Sequence, residues 1–254
     1  KPLTNVEYEK LIPQQLLHLH WRDIKFDRRS YLGEGSTSLV YRAKWRVPKK
    51  LYDTRTLTPM VDFPVVVKVL RLHPQREGVD HPKKLLARLQ RQNSLYEKDS
   101  TSDSGEEAFS FTHFGALFAE SKDLAVVKHP NCLPLIGVLA SSSYPCLIYA
   151  HLPLGTLKDF LPANRANITS LHMITWAQQI ASAMTYLEGM GLVHGNLAAR
   201  NVLLQNEYCT QLTDFGERGL VHKLVMASRL SSTSIEYCRP AAPDSEELLV
   251  RWMA

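Results

Sequence analysis

His194-Gly195-Asn196-Leu197-Ala198-Ala199-Arg200-Asn201-Val202-Leu203-Leu204, followed shortly by Asp214-Phe215-Gly216, is the stretch whose reading decides the fold. It follows an apolar periodic segment, Leu171 to Glu188. There Ile174, Ala177, Ile180, Ala181, Met184 and Leu187 recur at spacings of three and four, so the segment reads as one long helix. Val202–Leu204 and Thr210–Leu212 read as the short strands of a hairpin. An Asn before such a hairpin and an Asp after it can converge on one divalent cation, because both offer hard oxygen ligands.

Working outward, Tyr31 to Trp45 alternates apolar and polar residues around glycines, which predicts two strands joined by Gly33-Glu34-Gly35-Ser36-Thr37-Ser38. Glycines in such a turn let backbone amides approach phosphate oxygens. A plain hairpin turn explains two glycines equally well. The turn leads into a strand, not a helix, which argues against a dinucleotide-binding loop. Lys68 sits inside Val65-Val66-Val67-Lys68-Val69-Leu70, a predicted strand. A lysine there is costly unless it meets an anion or reaches water at a sheet edge. Glu120 falls on a helix predicted over Phe114–Val127, ahead of His129-Pro130-Asn131; a helix glutamate taken alone is usually solvated.

The rest of the chain is less informative. Residues 1–28 read as a lead-in and 46–63 as a loop. Residues 71–109 read as an insertion containing a short helix over Lys83–Arg91. It ends in Glu97–Glu107, which lacks apolar anchors and is expected to be disordered, and the whole of 71–109 is expected to be a mobile, phosphorylatable segment or simply tolerated surface length. Leu133–Leu139 and Cys146–Ala150 read as strands, and 217–251 as a long polar loop. The order of elements predicts a small sheet-rich lobe, then a larger helical lobe, with a cleft between them.

Composition narrows the function. The chain has 254 residues, 44% hydrophobic and 22% charged, as a globular protein requires. Its net charge of +5 is spread along the sequence, which reads as a solvated surface and not as nucleic-acid binding. Cys132, Cys146, Cys209 and Cys238 form no CxxC pair, so reduced thiols and a cytoplasmic setting are expected. No run of about 18 apolar residues is present to span a membrane. The abrupt ends at Lys1 and Ala254 suggest a piece of a longer protein.

Glycine-rich turn, strand lysine, helix glutamate, the His194–Leu204 stretch and Asp-Phe-Gly occur in one order, and in that order they resemble a protein kinase over about residues 23–254. Ala198-Ala199-Arg200-Asn201 is similar to the tyrosine kinases. Val250-Arg251-Trp252-Met253-Ala254 is similar to the segment just before their Ala-Pro-Glu motif. The triplet His194-Gly195-Asn196, the long insertions and the lead-in Trp21-Arg22-Asp23-Ile24 resemble, more narrowly, the pseudokinase domain of Janus-type tyrosine kinases, with an invertebrate member suspected. The resemblance implies an α+β bilobal fold: a small antiparallel sheet lobe with one helix over 29–148, then the hinge and a partial, truncated helical lobe over 149–254 that ends in the activation segment.

The resemblance also implies roles. Leu32, Gly33, Gly35, Val40, Val66, Tyr149, Ala150, Leu152 and Leu203 would line a nucleotide site, with Tyr149 as gatekeeper and Val40 and Leu203 sandwiching adenine. Val66 stands where alanine is usual and narrows the pocket. Lys68 would hold the α- and β-phosphates of ATP and pair with Glu120, while Asn201 and Asp214 would hold Mg²⁺. Leu124, Leu135, His194 and Phe215 match the stack that joins the lobes.

The departures bear on activity. Asn196 stands where the family has its catalytic aspartate, and a neutral amide offers no useful basicity; losing a positioned base costs roughly 10²–10⁴ in rate. Gly195 removes the arginine that would grip a phosphorylated activation loop, so Tyr237 has no internal receiver, and Leu249 replaces a proline in the docking segment. The favoured expectation is a regulatory pseudokinase that binds ATP and Mg²⁺ and controls an adjacent tyrosine kinase domain in cytokine-receptor signalling, reaching the membrane only through a receptor. An active tyrosine kinase and a nucleotide-free scaffold are the alternatives.

Overall fold

The structure, a computed structural model, describes residues 16–35, 38–46, 62–70, 82–96, 111–140, 145–217, 219–220 and 223–224. They divide into one unit drawn from 1–126 and 134–151 and a second drawn from 127–133 and 152–254.

The first unit is built on a six-stranded sheet. Its strands are β1 (Leu17–Leu19), β2 (Ile24–Glu34), β3 (Ser38–Arg46), β4 (Asp62–Leu70), β5 (Leu135–Ala140) and β6 (Pro145–Ala150), in the order β1-β5-β6-β4-β3-β2. All neighbours are antiparallel except β1, which runs parallel to β5. Alternation sets the faces. Leu39, Tyr41, Ala43 and Trp45 of β3 are buried, as are Val65, Val67 and Val69 of β4. Val40, Arg42 and Lys44 fall between them on the other face.

Two helices cover this sheet. Helix α1 (Pro82–Tyr96) buries Leu85 and Leu89, one turn apart, and packs on β2 and the 3₁₀ turn Trp21–Asp23. The Tyr41 hydroxyl donates to the Pro82 carbonyl at 3.0 Å. Helix α2 (Phe111–Ala125) buries Leu117, Ser121 and Leu124 and packs on β5. Residues 97–107, expected to be disordered, lie outside the described residues.

Two expectations are corrected here. The stretch 1–28 is not a bare lead-in, because it supplies β1 and the start of β2. The insertion 71–109 is not mobile throughout, because two fully buried leucines anchor its helix, each contributing about 1.5–3 kcal/mol of apolar burial. β1 depends on a distant glycine. Leu17 sits opposite Gly137, where a Cβ would stand 2.6 Å from the Leu17 carbonyl oxygen.

The second unit has helix α3 (Leu157–Ala163), helix α4 (Ser170–Gly189) and the hairpin β7 (Val202–Asn206) and β8 (Cys209–Leu212). Thr156 caps α3 by accepting from the Asp159 amide at 3.1 Å. Thr169 and His172 form a reciprocal capping box at the start of α4. The hairpin is clamped to α4. Trp176 Nε1 donates to the Glu207 carbonyl at 2.8 Å and Gln179 Nε2 to that of Tyr208 at 2.8 Å. Gln179 Oε1 accepts from both the amide and the hydroxyl of Thr210. Residues 127–133, which fall within the expected first lobe, belong to this second unit: Asn131 and Leu133 bond the β8 backbone. The loop expected from 217 is described only as far as 224, and its described residues there are helical.

Candidate functional site

In the first unit the predicted residues share one face of β3 and β4. Val40 lies opposite Lys68, and Arg42 opposite Val66. The Lys68 residue is 8% exposed, with Leu147 across from it on β6. Leu32 is exposed, while Tyr149 and Ala150 are buried in β6. His151 follows and donates its amide to the Pro64 carbonyl at 3.1 Å. Burial, and then the positive charge of Arg42, hold the His151 imidazole below its ordinary pKa, against a backbone hydrogen bond that raises it.

Gly33 is the last residue but one of β2, and the Gly35 amide donates to Ser38 O at 2.8 Å to shape the turn. Neither glycine takes a left-handed φ, and a Cβ at Gly33 would meet nothing within 4 Å. The hairpin itself therefore does not demand glycine at 33, which fits a position that a ligand approaches closely. Ser36 and Thr37, the side chain of Glu120, Tyr237 and Leu249 lie outside the described residues.

In the second unit the predicted residues of the His194–Asn201 loop converge. Asn196 and Asn201 are buried. Asn196 Nδ2 donates to Asp214 Oδ2 at 2.5 Å, and Arg200 Nη2 donates to Asn196 Oδ1 at 2.8 Å. Asn201 Nδ2 donates to the Asn196 carbonyl at 2.7 Å and to Asp214 Oδ2 at 3.3 Å. Both ends of the Asn196 amide are thus engaged. Asp214 holds φ at 72°, a left-handed conformation that costs a non-glycine residue about 1 kcal/mol or more and persists where its surroundings enforce it. Gly195 takes φ 68°, and a Cβ there would meet nothing within 4 Å. His194 and Phe215 meet edge to face at 6.4 Å. Leu152 is buried and Leu203 half-buried on β7.

The donor set suits a small hard cation. Asn201 commits its Nδ2 to two acceptors, which leaves Oδ1 as the atom it can offer. Asp214 supplies a carboxylate, and Mg²⁺ typically takes one or two carboxylate or carbonyl ligands and keeps several waters. Among the described residues no group of three or more His, Cys, Asp or Glu forms a metal cage.

Arg200 is a residue that sequence reasoning quoted without assigning it a task. Its spacing of four from Asn196 was the available signal. Of the thiols, burial raises Cys132 to about 11 and also raises Cys146 and Cys209, so these three are structural rather than nucleophilic.

The model of the protein tyrosine and serine/threonine kinase family matches residues 106–254. The chain belongs to that family. As a kinase-family chain it resembles receptor tyrosine kinases in particular. It is 44% identical to the epidermal growth factor receptor of Apis mellifera over 97 residues, 38% of this chain and 7% of that protein. To the Drosophila melanogaster epidermal growth factor receptor it is 38% identical over 135 residues, 53% of this chain and 8% of that protein. The melanoma receptor tyrosine-protein kinase of Xiphophorus maculatus matches at 26% over 242 residues, 95% of this chain and 16% of that protein. The chain therefore spans less than a fifth of the length of these relatives. Kinases of this family generally use ATP with Mg²⁺. Among the described residues no helix is long and apolar enough to cross a membrane.

Proposed function

We propose that this kinase domain is a regulatory pseudokinase that binds ATP and Mg²⁺ and controls an adjacent catalytic tyrosine kinase domain. The observation that carries the reading is the side chain at 196. A catalytic aspartate accepts the proton of the substrate hydroxyl, whereas Asn196 is neutral, and its only good acceptor, Oδ1, already takes a hydrogen bond from Arg200 at 2.8 Å. Gly195 supports the same reading, since no cation is offered there to a phosphorylated loop.

The reading assigns the phosphates to Lys68, adenine to Val40, Val66, Tyr149, Ala150, Leu152 and Leu203, and the cation to Asn201 and Asp214. Mg²⁺ when bound would neutralise phosphate charge. Asn201 and Asp214 are positioned for this by the 3₁₀ turn Ala199–Asn201 and by the Thr213 amide donating to the Asn201 carbonyl at 2.9 Å. The His194-Gly195-Asn196 triplet and the Trp21-Arg22-Asp23-Ile24 lead-in favour a Janus-type parent in cytokine-receptor signalling, held at the membrane by a receptor on the cytoplasmic side.

A second reading, active phosphoryl transfer to tyrosine, draws on the retained Lys68, Asn201 and Asp214. Two measurements separate them. A melting-temperature titration with ATP and Mg²⁺ should show stabilisation by mass action. A phosphotransfer assay on a tyrosine peptide, run on the chain extended beyond Ala254, should show none. Stabilisation without transfer supports the regulatory role; transfer at a normal kinase rate refutes it, and absence of stabilisation at millimolar nucleotide removes nucleotide binding.

A further inference from the structure

One oxygen of Asp214 receives two amide donors. Asn196 Nδ2 lies 2.5 Å and Asn201 Nδ2 3.3 Å from Oδ2. An N–H aimed at a carboxylate oxygen occupies one of the lone pairs open to a hard cation, and it presents partial positive charge to that cation. Asn196 also withholds a charge. Asn196 and Asn201 are neutral, and the Arg200 cation balances the Asp214 anion, so the four side chains carry no net formal charge. An aspartate at 196 would make the cluster singly negative. Asn196 and Asn201 are buried, while Asp214 is half-buried and Arg200 exposed, so water screens the difference only from the Arg200 side.

We propose that Asn196 is a positioning residue that takes over a divalent cation's hold on Asp214, so that the site accepts a nucleoside triphosphate with little dependence on Mg²⁺. The inference rests on the nucleotide-binding reading above and concerns its regulation: occupancy follows the concentration of the triphosphate rather than that of free Mg²⁺. The amide does for the carboxylate what the cation does elsewhere. It bonds Oδ2 of a residue that sits at a left-handed φ, and the Arg200 bond to Oδ1 fixes which way the amide faces.

The test is a titration of the 254-residue chain with a fluorescent N-methylanthraniloyl ATP, once in EDTA and once in excess Mg²⁺. It is repeated for Asn196→Asp and Asn196→Ala. The wild-type dissociation constants should agree within about threefold between the two buffers. Asn196→Asp removes the donor and adds a charge facing the cation, so it should bind about tenfold or more tightly with Mg²⁺ than without. Asn196→Ala removes the donor alone and should fall between them. A wild-type chain that tightens more than about tenfold with Mg²⁺ overturns the inference and leaves the nucleotide reading standing. No binding in either buffer removes that reading and the inference together. A purely structural role for Asn196 would lower the variants' melting temperatures while leaving the EDTA-to-Mg²⁺ ratio unchanged, which also overturns the inference. Should Asn196→Asp fail to fold, the wild-type ratio and the alanine variant still decide.

Discussion

Arg200 donates from Nη2 to the Oδ1 of Asn196 at 2.8 Å, closing a contact between residues four apart in the His194–Asn201 loop. The bond occupies one of the two lone pairs of the amide oxygen and leaves the amide nitrogen turned toward Asp214. A local spacing thus sets the orientation of a group that the loop would otherwise leave to rotate.

Replacing that arginine should therefore cost stability as well as geometry. In Arg200→Ala the buried Asn196 Oδ1 loses its donor. Because Arg200 itself is exposed and water can partly replace it, the low end of the usual 1–3 kcal/mol is expected, about 1 kcal/mol. The urea midpoint should fall with the slope unchanged. A midpoint equal to that of the parent would show that Asn196 does not depend on Arg200.

Leu89 is fully buried on the inner face of α1, within the short helix expected in the insertion. Leu89→Ala removes the apolar anchor and leaves a cavity, for about 2–5 kcal/mol. Amide exchange over 82–96 in the parent should be slow relative to open chain, and the substitution should accelerate it. Parent amides in α1 that exchange at unprotected rates would contradict the packing described.

The sequence was legible where one element carries its own signal. The alternation in β3 and β4 and the three-and-four spacing of α4 need no partner to be seen, so these were found with bounds close to those observed. Helix α3 was missed because it is short and holds Pro162, although the Thr156 and Asp159 pair was a usable capping signal. β1 was invisible for another reason. Leu17-His18-Leu19 alternates as a strand does but is only three residues long, and its pairing depends on Gly137, far along the chain. The site divides in the same way. The motif named Asn196, Asn201 and Asp214, but which amide faces which carboxylate depends on a hairpin folding back, and no spacing encodes that.

The dependence of β1 on Gly137 is directly testable. Gly137→Ala places a Cβ 2.6 Å from the Leu17 carbonyl oxygen and 3.1 Å from the Leu19 side chain, contacts with backbone and core that cannot both give. Overpacking of this kind costs about 1–3 kcal/mol. Because β1 is an edge strand of three residues, the strain should be relieved by its release. Amides at 17–19 should lose protection while those of β3 and β4 keep theirs. Unchanged protection at 17–19 would mean that the strand does not need the glycine.

His151 gives the pH dependence. Its folded pKa is lowered by burial and by Arg42, so the folded state prefers the neutral ring and the unfolded chain, near 6.5, takes up a proton first. The unfolded state then binds more protons, and stability rises with pH in that window. The contribution is complete above the unfolded pKa and is lost as pH falls through the folded value. His18 and His129 are lowered too, the first by burial and His20, the second by burial, so the whole chain should soften on acidification and the His151 share must be isolated. His151→Asn keeps a polar side chain that does not titrate. The melting temperatures of parent and variant should run parallel above about pH 7 and diverge below it, with the variant losing less. Curves that stay parallel down to pH 5 would show that His151 is no more reluctant to protonate when folded than when unfolded.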